Sequence, residues 1–532
     1  MQRRTWVYVL AGLLMSASVL QAQSADDKKT DEKHAEAAKA DAQPDSTTEG
    51  TVTVGGQAIA YTAVAGTITV GATPAQDSEL DLKGHWLPEA GVKPGDEPPT
   101  ARFFYVAYFK KGASNQSRPI TFCYNGGPGS STMWLHMGSF GPKRVVTQDT
   151  VHEAAAPYKI ENNDYSLLDV SDLVFIDAPA TGFSRVYGKD AGKDFFGIDQ
   201  DARAFERFIR RFMTQYDRWN SPKYIFGESY GTPRSAVLSR DLQGIDLNGV
   251  ILLSAILSFD NSVDGPKENP GVDQAYALAL PTYAATAWYH KKLPSQPPAL
   301  EPFLKEVEDY ALGDYMSALL QGSELPEARK QAVAEKLHSY TGLPVDYLMK
   351  SNLRVEGGAF SKTLKDAEGI SVGRLDTRYQ GPDFDPLSEQ TEYDPQSSAV
   401  SAAYTTAINE YLRNDLKYGQ NWTYRPNAYG AEGFHWQMRY SEGGQNVMPD
   451  LALKMKEDPK MKVFLAGGYY DLATPFFEGM YEMHHLPIPQ NLQSNISYHY
   501  YEAGHMIYVN SDVLKHFHDD VAAFIKNTES AK

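Results

Sequence analysis

The chain has 532 residues, 42% of them hydrophobic and 12% aromatic, enough to bury a sizeable core. Its formal net charge of −17 argues against a partner that presents a phosphate backbone. One cysteine, Cys123, rules out any disulfide within the chain.

In chain order, Arg3 and Arg4 precede an apolar run, Trp6 to Leu20, that ends in Gln21-Ala22-Gln23-Ser24-Ala25. This reads as a secretory signal peptide, residues 1–24, cleaved between Ala22 and Ala25. The run is short for a membrane span of about 20 residues, so no stable insertion is expected after cleavage; an uncleaved anchor is the alternative. Removing the two arginines takes the charge from −17 to −19. Residues 25–50 are charged, rich in Ala, Asp and Lys and poor in large apolar groups, which suggests a disordered spacer. From Thr51 to Val70 the alternation predicts two or three short antiparallel strands with Gly turns, and Arg102 to Phe109 a further strand.

Arg118 to Tyr124 predicts a buried strand with Cys123 as a small core residue. It runs into Asn125-Gly126-Gly127-Pro128-Gly129-Ser130-Ser131. Asp172 to Ile176, Lys223 to Phe226 and Gly249 to Ser254 read as further buried strands. Phe196 to Tyr216 has a helical apolar face (Phe205, Phe208, Ile209, Phe212), with Arg203, Arg207, Arg210 and Arg211 expected on a solvated face. From about Asp260 to Arg413 the pattern turns mainly helical and polar, with loop-rich gaps around Gly357 to Pro395. The sheet resumes at Lys462. The expected division is a first core part at 51–259, a mainly helical cap insertion at 260–415 and a second core part at 416–532.

Directly after the strand at Lys223 to Phe226 comes Gly227-Glu228-Ser229-Tyr230-Gly231, then a predicted helix from Thr232 to Leu242. Strand, Gly-x-Ser-x-Gly, helix is the context of a nucleophile elbow. The pentapeptide alone also fits a Gly-rich turn. Asp471 follows the run Lys462 to Ala466, and His505 follows Ile496 to Tyr501, each just past a predicted strand. Ser, Asp, His is the α/β-hydrolase chain order. Ser229 would attack a carbonyl, His505 would move the proton, and Asp471 would hold the imidazole. The glycine-rich turn after Tyr124 sits where this fold completes its oxyanion hole, so the backbone N–H groups of Gly127 and Tyr230 are the candidate donors. No zinc spacing, calcium loop or phosphate loop occurs, so neither a metal nor a cofactor is expected.

Asn125-Gly126-Gly127-Pro128-Gly129, Gly227-Glu228-Ser229-Tyr230-Gly231, Gly468-Tyr469-Tyr470-Asp471 and Ala503-Gly504-His505-Met506 together resemble the serine carboxypeptidase family. Phe175-Ile176-Asp177-Ala178-Pro179-Ala180-Thr181-Gly182-Phe183-Ser184 is similar to that family's segment after the oxyanion loop. The resemblance runs from about Arg102 to Val509 and is weakest between Asp260 and Arg413. It implies an α/β-hydrolase fold with a central, mostly parallel sheet, and an exopeptidase that removes the C-terminal residue of peptide substrates. It also implies that Asn125, Gly126 and Glu228 read the substrate's free carboxylate, Glu228 in its protonated form. For Glu228, a solvated carboxylate at a helix start is the other reading. Two positions depart from the family. Ser139 stands where better-known members carry a second Glu that shares a proton with the Glu beside the nucleophile, and Ser130 stands where the family often has a disulfide cysteine. The resemblance further implies a bacterial exported relative, periplasmic or secreted. An esterase, amidase or acyltransferase on the same scaffold remains an alternative, as does a non-catalytic binding protein that kept the fold.

Overall fold

The computed structural model describes residues 43–431, 433–439 and 445–530. The predicted signal peptide, and the spacer as far as residue 42, lie outside the described residues. The rest of the expected spacer is corrected: Ser46–Val54 forms strand β1. Its sequence, Ser-Thr-Thr-Glu-Gly-Thr-Val-Thr-Val, is polar because β1 is an edge strand, solvated along most of its length and held by backbone pairing to β2, Gln57–Gly71.

Seven further strands complete the main order: β3 (Thr100–Lys110), β4 (Ile120–Tyr124), β5 (Asp172–Ile176), β6 (Lys223–Glu228), β7 (Gly249–Leu253), β8 (Lys462–Gly468) and β9 (Ile496–Tyr501). They lie in the order β1-β2-β3-β5-β4-β6-β7-β8-β9, and a short strand, Arg185–Tyr187, pairs with β3 at one end. β1, β2 and β3 are antiparallel, and β3 meets β5 antiparallel. From β5 to β9 every pair is parallel. The apolar runs that predicted β4 to β7 are buried along their whole length, as strands covered on both faces must be. Helices cover both faces: α1 (Met133–Gly138), α2 (Ile198–Gln215), α3 (Gly231–Asp241) and three further helices after the insertion. This is the α/β-hydrolase fold.

The arginines of α2 are not uniformly solvated. Arg207 and Arg211 are buried. Arg211 donates to the Asp77 carboxylate at 2.9 and 3.0 Å and to the Asp81 carbonyl at 2.7 Å. The periodicity identified the non-core face of the helix, but residues 77–81, distant in sequence, cover part of it.

The insertion between β7 and β8 contains α4 (Gln274–Tyr289), α5 (Leu300–Tyr310), α6 (Glu327–Thr341) and α7 (Pro395–Glu410). It is mainly helical, yet α4 is not polar: Ala275 through Ala287 are all buried. α4 is the centre of a separate apolar core that also takes in Tyr470, Leu472, Phe476 and Phe477. Within the stretch expected to be loop-rich, Ile370–Val372 and Gln380–Pro382 pair as a small hairpin. After the insertion come α8 (Met448–Glu457), α9 (Phe476–His484) and α10 (Ser511–Ser530). Residues 416–431 and 433–439, placed by the expected division in the second core part, form a strap along the carboxyl end of the sheet. Gly182 N–H donates to the Arg425 carbonyl at 2.6 Å, Ser131 N–H to the Pro426 carbonyl at 2.9 Å, and Ala428 N–H to the Gly129 carbonyl at 2.8 Å.

Candidate active site

Ser229 sits in the tight turn between β6 and α3 with φ +59°, a left-handed conformation that a non-glycine residue adopts only under strain. The turn is possible because its neighbours are small. A Cβ on Gly227 would lie 2.1 Å from the Gly231 carbonyl oxygen, and one on Gly126 would lie 2.3 Å from Tyr230 N. Ser229 N–H donates to the Leu253 carbonyl at 3.0 Å, and Thr232 N–H returns to the Ser229 carbonyl at 2.8 Å. Ser229 itself is only half-buried. The elbow therefore presents its hydroxyl at the carboxyl end of the sheet.

Asp471 and His505 follow the ends of β8 and β9, which are neighbours in the sheet. His505 Nδ1 donates to Asp471 Oδ2 at 2.8 Å. Asp471 is fully buried and accepts three further hydrogen bonds: from Ala473 N–H at 2.9 Å, Thr474 N–H at 3.0 Å and the Thr474 hydroxyl at 2.7 Å. These donors fix the orientation of the carboxyl group. Burial lowers the His505 pKa, but the charge and hydrogen bond of Asp471, with Glu228 adding, outweigh it, and the net displacement is upward. Ser254 links the histidine loop to the elbow side, its hydroxyl donating to the His505 carbonyl at 2.8 Å.

The insertion reaches this site through the loop of its small hairpin. Leu472 N–H donates to the Arg374 carbonyl at 3.0 Å, Thr377 N–H to the Tyr470 carbonyl at 3.0 Å, and His505 N–H to the Leu375 carbonyl at 2.6 Å. Residues 374–377 thus tie the Asp471 and His505 loops together by backbone bonds.

The glycine-rich loop after β4 is held from below and above. Arg234, buried beneath it, pairs with Asp201 at 2.6 Å and donates to the Asn125 carbonyl at 2.7 Å. The strap packs Phe434 against Gly129 and sets the Trp436 ring edge-on to Tyr230, with 5.0 Å between centroids. The backbone N–H groups of Gly127 and Tyr230 flank the elbow, and neither donates to an acceptor among the described residues. Ser130, at the family's frequent cysteine position, pairs with Asn427 of the strap and accepts from the Trp134 indole N–H at 3.2 Å. Cys123 lies fully buried in β4, and burial pushes its thiol pKa up.

Glu228 is not a solvated helix-start carboxylate. It is 2% exposed. Its Oε2 accepts from Asn125 Nδ2 at 3.0 Å, and the Tyr508 hydroxyl lies 2.9 Å from Oε2 and 3.1 Å from Oε1. Burial raises its pKa from the ordinary 4.5 to about 7, against the opposing effects of His505, Tyr508 and Asn125. Ser139 takes no part; it caps the end of α1, its hydroxyl donating to the Leu135 carbonyl at 2.6 Å. Sequence reasoning missed Tyr508 and Thr474. Thr474, three residues past Asp471 in a turn, carried a weak local signal; Tyr508 carried none.

Residues 89–263 match the family model described as serine carboxypeptidase. The chain is 33% identical over 116 residues to the pheromone-processing carboxypeptidase KEX1 of Saccharomyces cerevisiae, covering 21% of this chain and 15% of that protein. Against the pheromone-processing carboxypeptidase kex1 of Aspergillus clavatus it is 27% identical over 150 residues, 28% of this chain and 22% of that one. It therefore spans less than a quarter of the length of these relatives. A crystal structure of a Saccharomyces cerevisiae prohormone-processing carboxypeptidase aligns over 87% of this chain and 91% of its own, at 15% identity and a TM-score of 0.47.

Proposed function

We propose that this chain, a relative of the serine carboxypeptidases through residues 89–263, is a serine-type exopeptidase that releases C-terminal residues from peptides. The reading rests on one observation above the others. A buried carboxyl group, Glu228, stands immediately before the elbow serine, held by the Asn125 amide and kept largely protonated below neutral pH by its burial. A neutral carboxylic acid can donate a hydrogen bond to a substrate carboxylate, which an ionised one would repel.

In this scheme Ser229 Oγ attacks the carbonyl of the last peptide bond while His505 accepts its proton, and Asp471 stabilises the imidazolium. The oxyanion meets the N–H groups of Gly127 and Tyr230. His505 then protonates the leaving amine, the C-terminal amino acid departs, and water hydrolyses the acyl-enzyme by the same route in reverse. Asn125, Gly126 and Glu228 hold the terminal carboxylate. Export from the cell is part of the proposal and rests on the charged and apolar pattern from Arg3 to Ala25.

A matched peptide pair, one with a free C-terminus and one amidated, tests the reading through kcat/KM across pH. Preference for the free acid at low pH that fades as Glu228 ionises is the expected result. Equal rates across the range would remove the carboxylate-reading role and favour an esterase or amidase.

A further inference from the structure

The carboxylate-reading site differs from a two-carboxylate arrangement in a way that assigns a role to Tyr508. Tyr508 lies in the short turn Ile507–Val509, three residues after His505, and is 1% exposed. Its ring and the Tyr404 hydroxyl of α7 close around Gly138, where a Cβ would fall 2.5 to 2.6 Å from each. The phenol is therefore locked, and its hydroxyl faces Glu228.

The two oxygens of Glu228 are not equivalent. The Asn125 amide is oriented by its own carbonyl oxygen, which accepts from Leu135 N–H at 3.0 Å, so Nδ2 is the atom that faces Glu228. Oε2 receives that amide proton and the shorter Tyr508 contact; Oε1 receives only the longer one. A proton on Oε2 would oppose the Asn125 N–H, so the acid proton belongs on Oε1.

We infer that Tyr508 is a positioning residue for the exopeptidase reaction: with Asn125 it fixes Oε2 of Glu228 as the acceptor oxygen and leaves the proton on Oε1 for donation to the substrate's terminal carboxylate. The inference rests on the carboxypeptidase reading above and deepens it. A phenol supplies a donor without a second negative charge, so the site titrates as a single group. The charged and titratable groups that face Glu228 are His505 and Asp471 on the catalytic loops, Tyr508 itself, and Tyr404 from the insertion.

The test is Tyr508→Phe, read as the ratio of kcat/KM for the free-acid peptide to that for its amide, across pH. Taking the ratio cancels the titration of His505, which both substrates need. Loss of the phenolic donor removes a hydrogen bond that favours the anion, so the midpoint at which the ratio declines should move up by about one pH unit. The low-pH ratio itself should fall by up to about twofold, the statistical cost of sharing the proton between two oxygens that Asn125 alone distinguishes less sharply. A packing role alone would not move the midpoint. Stoichiometric labelling of Ser229 by a fluorophosphonate establishes that the variant has a folded triad. In a Glu228→Gln background, which cannot titrate, Tyr508→Phe should move no midpoint. A second measurement needs no tyrosine variant: the infrared difference between wild type and Glu228→Gln at pH 5 should show the carbonyl stretch of a doubly hydrogen-bonded acid. Wild-type preference for the free acid, with a Phe variant that keeps both midpoint and ratio, overturns the inference alone; so does the stretch of a free carbonyl. Wild type that never prefers the free acid overturns the carboxypeptidase reading, and the inference falls with it.

Discussion

Replacing Glu228 by Gln tests the centre of the mechanism, because Gln keeps the shape and neutrality of the protonated acid and cannot ionise. Its carbonyl oxygen can stay under Asn125 and Tyr508 while its NH2 group takes over the outward donor position. With the wild-type group at about 7, roughly one tenth of the enzyme carries protonated Glu228 at pH 8, so the acid-to-amide ratio should sit about tenfold below its plateau there. In Glu228→Gln the ratio should be flat from pH 5 to 9, on a plateau lower than wild type because a neutral amide is a weaker donor than a carboxylic acid. Stability should change with it. The folded pKa lies above the unfolded one, so the native state holds a proton that the unfolded chain has lost between pH 4.5 and about 7. Wild-type stability is therefore highest below pH 4.5 with respect to this group and falls as pH rises through 7. The rise from 4.5 to about 7 corresponds to about 3 kcal/mol, which the Gln variant should not lose. Peptide kinetics and urea melts at pH 5 and pH 8 measure both effects. If the Gln variant retained a decline in the ratio near pH 7, another group would be titrating and the reasoning would fail.

Ser229→Ala and His505→Ala should each lower peptide hydrolysis by about 10³-fold or more while thermal melts stay within a few degrees of wild type, since nucleophile and base act as a unit. Asp471→Asn should be similarly severe, because it presents the wrong imidazole tautomer, and normal turnover in any folded member of this set would dismantle the triad. Glu478, fully buried on α9 with neither carboxylate oxygen hydrogen-bonded and Glu482 beside it, has its pKa raised well above the ordinary value by burial and then by Glu482. Its stabilising contribution is likewise lost as pH rises, so Glu478→Gln should flatten the alkaline fall in melting temperature, and a Gln variant that melts like wild type at pH 9 would contradict this. Material from the native host should begin near residue 23 to 26 outside the cytoplasm; N-terminal sequencing that finds Met1 or Gln2 in a cytoplasmic fraction refutes export.

What the sequence determined by itself was local. The elbow was legible because Gly227, Ser229 and Gly231 meet the needs of one turn, whose strain and close approaches involve residues a few positions apart or on the next strand. The strands β4 to β7 were legible because burial on both faces leaves an unbroken apolar run. Asp471 and His505 were legible as strand-end residues in a fixed chain order, and the structure joins them through a 2.8 Å hydrogen bond. The tertiary structure decided everything that depends on what covers a surface. β1 reads as spacer because an edge strand held by backbone bonds needs no apolar side chains. Arg211 reads as solvated because a helical period shows which face a residue occupies, not that Asp77 will meet it there. The hairpin loop 374–377, the strap and Tyr508 reach the site by contacts between segments up to several hundred residues apart. No periodicity or spacing encodes such contacts, and it is through two of them, from Asn125 and Tyr508, that the buried carboxyl group of Glu228 is oriented.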